Sequence, residues 1–312
     1  MTWWRGLKIF AVVVVVGFVA WSVARDFSKV DDWSRIRPDA RWVAMSALMT
    51  FCAGLCILVS YRWLLFAYGA TPTWREMMPI AWVPAVGKYI PGRVVAIAGA
   101  VVMLRKIGVG GAVALGVVLM MDMFSVIAGL VIASPLLMRP PLSDRFPGGF
   151  YVAISAILVG IILLHPKVSG ALVNLALRVL KKPKLEKLPS ARQCVPSLVC
   201  AFLQWGFAGL STWAMLNSMS PVSLWSWPVL CSITACAMTL GYLCIIAPAG
   251  IGVRDVLFLI LLKQILPGLP DYQIAATVVF LRLQQTLIEV ALAGVGIVLM
   301  RKSVETDFKS VI

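Results

Sequence analysis

Ala85-Val-Gly-Lys-Tyr-Ile-Pro-Gly-Arg-Val-Val-Ala-Ile-Ala-Gly99 lies inside an apolar run that extends from about residue 77 to residue 104. Within six residues of one another in this stretch stand Lys88, Pro91, Gly92 and Arg93. Pro removes a backbone donor and clashes with the preceding turn, and Gly loosens the turn that follows. In water such a break makes a loop. In lipid the freed carbonyls must be satisfied by other protein groups or by a water-filled cavity. The solvent around this stretch therefore decides the fold.

Working outward, the whole chain answers for lipid. Of 312 residues, 61% are hydrophobic and 13% charged, and the mean hydropathy is +0.94. A soluble domain runs nearer roughly one half apolar and one quarter charged. Several apolar stretches approach the roughly 20 residues that cross ~30 Å of hydrocarbon as helix. They are continuous rather than alternating, which excludes a transmembrane β-barrel. The fold class is an all-α polytopic membrane protein. The net charge of +15 sits in short segments between spans, where basic residues set orientation, so it does not indicate nucleic acid. The seven cysteines lie almost all in apolar runs without a C-x-x-C, and read as small hydrophobes rather than a disulfide frame or metal site. No metal or cofactor is implied.

Full spans are expected at about 7–24, 42–66, 110–138, 149–164, 193–217 and 272–300, with two odd regions at about 77–104 and 226–266. The first resembles a signal peptide in its flanks, but the many spans after it favour retention. Segment 165–192 carries Lys167, Arg178, Lys181, Lys182, Lys184, Lys187 and Arg192 against the single acid Glu186, which marks it as cytoplasmic. Its stretch 168–180 also has apolar residues at helical spacing. It reads either as a solvated loop, the favoured reading, or as an interfacial helix on anionic lipid. Both termini are then cytoplasmic, in a cell (inner) membrane. The chain forms a single transmembrane domain: a first half 1–164, the basic segment 165–192, a second half 193–300 and a tail 301–312. Parity requires each odd region to return to its own side, as a re-entrant hairpin or as two crossings.

The second odd region repeats the chemistry of the first: Gly241-Tyr-Leu-Cys-Ile-Ile-Ala-Pro-Ala-Gly-Ile-Gly-Val-Arg-Asp255. Breaks are expected at Pro91-Gly92 and at Pro248-Ala-Gly250, with Gly252 beside the second. The two triplets of span, broken region and span have opposite orientation. Paired interruptions in inverted halves point to a transporter's binding site. Half-helices starting near Gly92 and Ile251 aim positive dipole ends inward, which favours an anion. Lys88, Arg93, Arg254 and Arg282 add positive charge, and a headgroup phosphate is the anion available at that depth.

Three acids complete the set. Asp122 and Glu289 lie about 18 Å into one span and about 16 Å from the end of another. Charges so deep do not face lipid. Arg282, Gln285 and Glu289 share a face of the last span. Asp255 is expected to cap or pair locally with Arg254. Asp122 and Glu289 either pair with the buried arginines, the favoured reading, or titrate along a polar path.

At these residues the chain resembles the transmembrane region of lysylphosphatidylglycerol synthases and its stand-alone, flippase-like relatives. Gly87-Lys-Tyr-Ile-Pro-Gly-Arg-Val94, continuing to Leu104-Arg-Lys-Ile-Gly108, is similar to the family's first polar motif. Ala247-Pro-Ala-Gly-Ile-Gly-Val-Arg-Asp255 is similar to its Pro-Gly-Gly-x-Gly-x-Arg-Glu, and Phe280-Leu-Arg282 to its late Tyr-Arg. Ala249 and Asp255 are mild departures, and Ala100 stands where relatives often carry a basic residue. The resemblance implies a membrane protein that moves or presents lipids or lipid-linked glycans. The family's synthase activity resides in a separate soluble domain and is not expected of this chain.

The leading expectation is therefore flippase-like translocation of an anionic lipid or lipid-linked glycan, with membrane lipids as partners. A homo-oligomer is compatible with the sequence. One alternative is a glycosyltransferase-type enzyme on a lipid carrier, for which Asp26, Asp31, Asp32 and Asp39 are the outer carboxylates; they are interleaved with five basic residues, and no catalytic motif accompanies them. Another is a non-transporting partner in an envelope or glycan assembly complex.

Overall fold

The computed structural model describes residues 36–89, 94–244, 250 and 252–309, with side chains up to residue 300. The expected first span at 7–24, together with Pro91, Gly92, Arg93 and Pro248, lies outside the described residues. Every regular element among them is helical.

Helix α1 (Ala40–Ala67) starts at Asp39, whose carboxylate accepts from the Arg41 N–H at 2.8 Å. A capping box, Thr73 with Glu76, opens α2 (Trp74–Trp82), which passes into a 3-10 segment, Pro84–Tyr89. After the first break, α3 runs Val94–Lys106. Next comes α4 (Gly111–Ala133), prolonged by the 3-10 turn Ser134–Met138. The short α5 (Leu142–Arg145) leads to α6 (Gly149–Leu164) and α7 (Pro166–Val179). A Ser190/Gln193 capping box opens α8 (Ala191–Asn217). The 3-10 segment Leu224–Ser226 leads into α9 (Trp227–Leu243). Beyond the second break lie α10 (Val253–Ile265) and α11 (Asp271–Lys309).

Among the described residues five helical stretches are long and apolar enough to cross a membrane: Ala40–Ala67, Gly111–Met138, Ala191–Asn217, Leu224–Leu243 and Asp271–Met300; the bent pair α6/α7 makes a sixth if counted as one. The chain is a multi-pass membrane protein. Four of the expected spans match these helices to within two residues, and 149–164 is α6 itself. In the second odd region the first limb, Leu224–Leu243, has the length and apolarity of a full span, as one of the two expected arrangements requires. The first odd region is short-limbed throughout, with nine residues in α2 and thirteen in α3.

At the centre, α1 packs along α8. Ser46 Oγ donates to the Ser211 carbonyl at 2.8 Å, and Ser197 Oγ donates to the Ser60 carbonyl at 2.8 Å. As the chain advances from Ser46 to Ser60 its partner retreats from Ser211 to Ser197, so the two helices are antiparallel. Each bond closes a carbonyl-to-hydroxyl contact that lipid cannot supply. Elsewhere small residues let helices approach: a Cβ at Gly209 of α8 would lie 2.7 Å from Cys231 Cα of α9.

Two apolar clusters flank this seam. One gathers Leu64, Met77, Leu104, Phe124 and Leu177 around α4, and the other gathers Leu230, Ile233, Phe258, Leu262 and Ile274 between α9, α10 and α11. The outward surface is also apolar, as lipid allows: Leu158, Ile161 and Ile162 of α6 are exposed. Trp63, Trp74 and Trp225 stand exposed near helix ends, as a membrane-interface belt requires. All seven cysteines are free thiols, buried or half-buried.

Candidate functional site

Residues flanking both breaks line one cavity of about 360 Å³. Its wall includes Lys88 from the 3-10 segment before the first break and Arg254 from the first turn after the second. Asp122, Asp255, Gln285 and Glu289 also line it. The chain thus brings to one place residues separated by up to two hundred positions.

The second break is held by close backbone packing. Gly250 has φ +69° and Gly252 φ +87°, a region that side chains with a Cβ rarely adopt. A Cβ at Gly250 would stand 2.7 Å from the Gly241 carbonyl oxygen, and one at Gly241 would stand 2.8 Å from Arg254 Cβ. Glycine at these positions lets α9 and the start of α10 touch. Asp255 is fully buried and accepts from the Gly252 N–H at 3.2 Å, which caps α10.

From there a polar relay crosses the site. Asp255 pairs with Arg282 of α11 through its Oδ2 and with Arg254 Nε through its Oδ1 at 3.4 Å. Arg254 Nη1 donates to Gln285 Oε1 at 2.9 Å. Gln285 Nε2 donates to Glu289 Oε1 at 2.9 Å, and Lys88 Nζ meets the same oxygen at 2.5 Å. The Tyr89 hydroxyl donates to Glu289 Oε2 at 3.0 Å and lies 3.1 Å from the Thr286 hydroxyl. The basic residues flanking the two breaks therefore meet on one face of α11, through side chains four residues apart. That face is the expected stripe of Arg282, Gln285 and Glu289.

The site residues fall into distinct positions. Lys88 and Arg254 are on the cavity wall with side chains 21% and 13% exposed. Arg282 is buried behind Asp255 and is not on the wall. Asp255 caps and pairs locally as expected, and pairs with Arg282 as well. Glu289 pairs with Lys88. Asp122 lines the cavity from near the middle of α4. Arg93 lies outside the described residues.

Several polar residues escaped the sequence reading. Tyr89 and Thr286 complete the Glu289 end of the relay. Gln204 of α8 bonds Ser125 of α4, and the Trp205 indole donates to the Ser125 carbonyl at 3.0 Å. Gln284 joins Ser46, Thr50 and Ser211 at the junction of α1, α8 and α11. Uncharged and scattered, they gave one signal only: hydroxyl and amide side chains inside otherwise apolar helices. Of the outer carboxylates, Asp39 caps α1, and Asp26, Asp31 and Asp32 lie outside the described residues. Among the described residues no group of three or more His, Cys, Asp or Glu could hold a metal ion.

Comparison with known sequences adds the family. No curated protein matches the chain. The family described as the lysylphosphatidylglycerol synthase TM region matches residues 8–293, a stretch that includes both breaks and the whole relay. With more than nine-tenths of its length matched, the chain belongs to the family of the lysylphosphatidylglycerol synthase transmembrane region.

Proposed function

We propose that the protein translocates an anionic lipid, or a lipid-linked glycan intermediate, between the leaflets of the cell (inner) membrane. The observation that carries this reading is that Lys88 and Arg254, each beside a helix break, stand on the wall of one cavity deep in an apolar helical body. A space of about 360 Å³ suits a small headgroup and leaves the acyl or polyprenyl tails in the bilayer. Membership in a family named for a phospholipid synthase supports a membrane-lipid role.

Lys88, Arg93 and Arg254 contact the headgroup phosphate, while Arg282 orients Asp255 and through it Arg254. Glu289 and Asp255 keep the basic side chains in place between substrates, and Asp122 lines the same cavity.

The transporter logic rests on an inverted repeat. Ser197 and Ser211 stand the same 151 positions after Ser46 and Ser60. The two serine contacts between α1 and α8 are then one contact made twice, as a pseudo-two-fold axis between antiparallel helices requires. The half-helices after the breaks, α3 and α10, are both thirteen residues long. In this arrangement each broken region returns to its own side, both termini are cytoplasmic, and the halves rock across the α1–α8 seam.

The test is native mass spectrometry of protein purified in mild detergent, comparing wild type with Arg254→Ala/Arg282→Ala. A phospholipid or polyprenyl phosphate retained by the wild type and lost by the folded variant is expected. Equal retention by both, or unchanged lipid transport by the variant in proteoliposomes, refutes the site.

A further inference from the structure

The cavity makes no use of residues 166–188. At His165 the chain bends by 76° between α6 and α7. With α6 close to the bilayer normal, that bend lays α7 close to the membrane plane.

Helix α7 has three faces. Ser169, Gly170, Val173 and Leu177 are buried, against α4, α6 and α8. On the opposite side Ala171, Leu172, Leu175 and Val179 form an exposed apolar stripe, with Leu175 54% and Val179 74% exposed. At 3.6 residues per turn this stripe points roughly away from the protein body. Lys167 and Arg178 lie together on one flank between the two faces.

The following loop is pinned. The Leu185 N–H donates to Asn174 Oδ1 at 2.7 Å, and Asn174 Nδ2 donates back to the Leu185 carbonyl at 3.4 Å. The Leu185 side chain is buried on α4, where a Cβ at Gly116 would stand 2.8 Å from its Cδ1. Leu188 packs in the same way on Gly170. Held by these contacts, Lys181, Lys182, Lys184 and Lys187 are all exposed, with Glu186 the single acid among them.

We propose that α7 and the loop 181–187 form a fixed docking shelf for anionic phospholipid, separate from the cavity. The stripe of Leu172, Leu175 and Val179 enters the acyl boundary, and the lysines meet headgroup phosphates. Charge decides the occupant. A second copy docked symmetrically would set one lysine cluster against another, whereas an anionic leaflet complements both the stripe and its basic flank.

Hydrogen exchange of the full chain in nanodiscs tests this. Exchange at 166–188 is expected to slow when phosphatidylglycerol is added to phosphatidylcholine, in wild type and in Arg254→Ala alike. In Lys181→Gln/Lys182→Gln/Lys184→Gln/Lys187→Gln the slowing disappears, while exchange in α8 stays unchanged because only exposed side chains are altered. Titration of short-chain phosphatidylglycerol into detergent-purified protein should weaken by roughly fivefold per lysine removed at low salt. Equal protection in neutral lipid, or protection retained by the glutamine variant, overturns the proposal. Protection that follows protein density rather than phosphatidylglycerol content also overturns it and assigns the face to a second copy.

Discussion

Gly241→Ala tests whether the cavity wall depends on close contact between α9 and α10. The added methyl would stand 2.8 Å from Arg254 Cβ, 3.3 Å from its Cα and 3.4 Å from its N. Carbon atoms rest about 3.5–4.0 Å apart, so the first turn of α10 must retreat by roughly 1 Å. Arg254 Nη1 reaches Gln285 at 2.9 Å, and a retreat of that size takes the bond out of range. Overpacking costs about 1–3 kcal/mol, and losing a hydrogen bond to a charged group adds about 1.5–3 kcal/mol. Alanine's better helix propensity offsets about 1 kcal/mol. The net expectation is a loss of roughly 1.5–5 kcal/mol, with Arg254 displaced from the wall. Thermal unfolding in mild detergent reads the first effect, and native mass spectrometry of retained phospholipid reads the second. Gly268→Ala is the control, since a Cβ there meets nothing within 4 Å. A Gly241→Ala protein with wild-type unfolding midpoint and wild-type lipid retention would refute the packing argument.

Three further predictions concern the body of the protein. Lys88→Met and Glu289→Met should each destabilise more than the double substitution. Their coupling should exceed about 1 kcal/mol in unfolding measurements, because a mostly buried pair loses more when one charge is removed than when both are; additive effects would show that the pair contributes nothing. Thr239 has a buried hydroxyl without a hydrogen-bond partner among the described residues, so Thr239→Val should stabilise by about 1 kcal/mol. A lowered unfolding midpoint in that variant contradicts the burial account. Gly209→Ala should destabilise by about 1–3 kcal/mol, since its methyl meets the Cys231 backbone and not only a mobile side chain; an unchanged midpoint shows that α8 and α9 can separate without cost.

Much of the fold could be read from the chain because lipid makes hydropathy decisive. Four long apolar runs became four long helices, and beside the second expected break Gly250 and Gly252 adopt positive φ ahead of α10. The family match to residues 8–293 agrees with the motifs around Lys88, Arg254 and Arg282. The length of the Leu224–Leu243 helix was less legible, because it joins the second broken region in one apolar stretch of sequence. Segment 165–192 was read chiefly as a solvated loop, yet Pro166 begins a fourteen-residue helix. The basic residues that suggested a loop occupy one flank of that helix and the turn after it. Glu289, expected to pair with a buried arginine, pairs with Lys88 instead, and Asp255 adds Arg282 to the expected Arg254. Partners 201 and 27 positions apart are chosen by tertiary packing, which no local spacing records.

The serine seam also bears on how the protein is made. Ser46 waits for Ser211, 165 residues later, and Ser60 for Ser197, 137 residues later. At a synthesis rate of about 5–20 residues per second, α1 spends roughly 10–30 s in the bilayer before its partner emerges. Its hydroxyls must meanwhile fold back on their own helix, as serine and threonine can within a helical turn. The α1–α8 contact, and every cavity contact that depends on it, therefore closes late. A ribosome halted before residue 197 leaves an inserted first half with neither seam nor cavity.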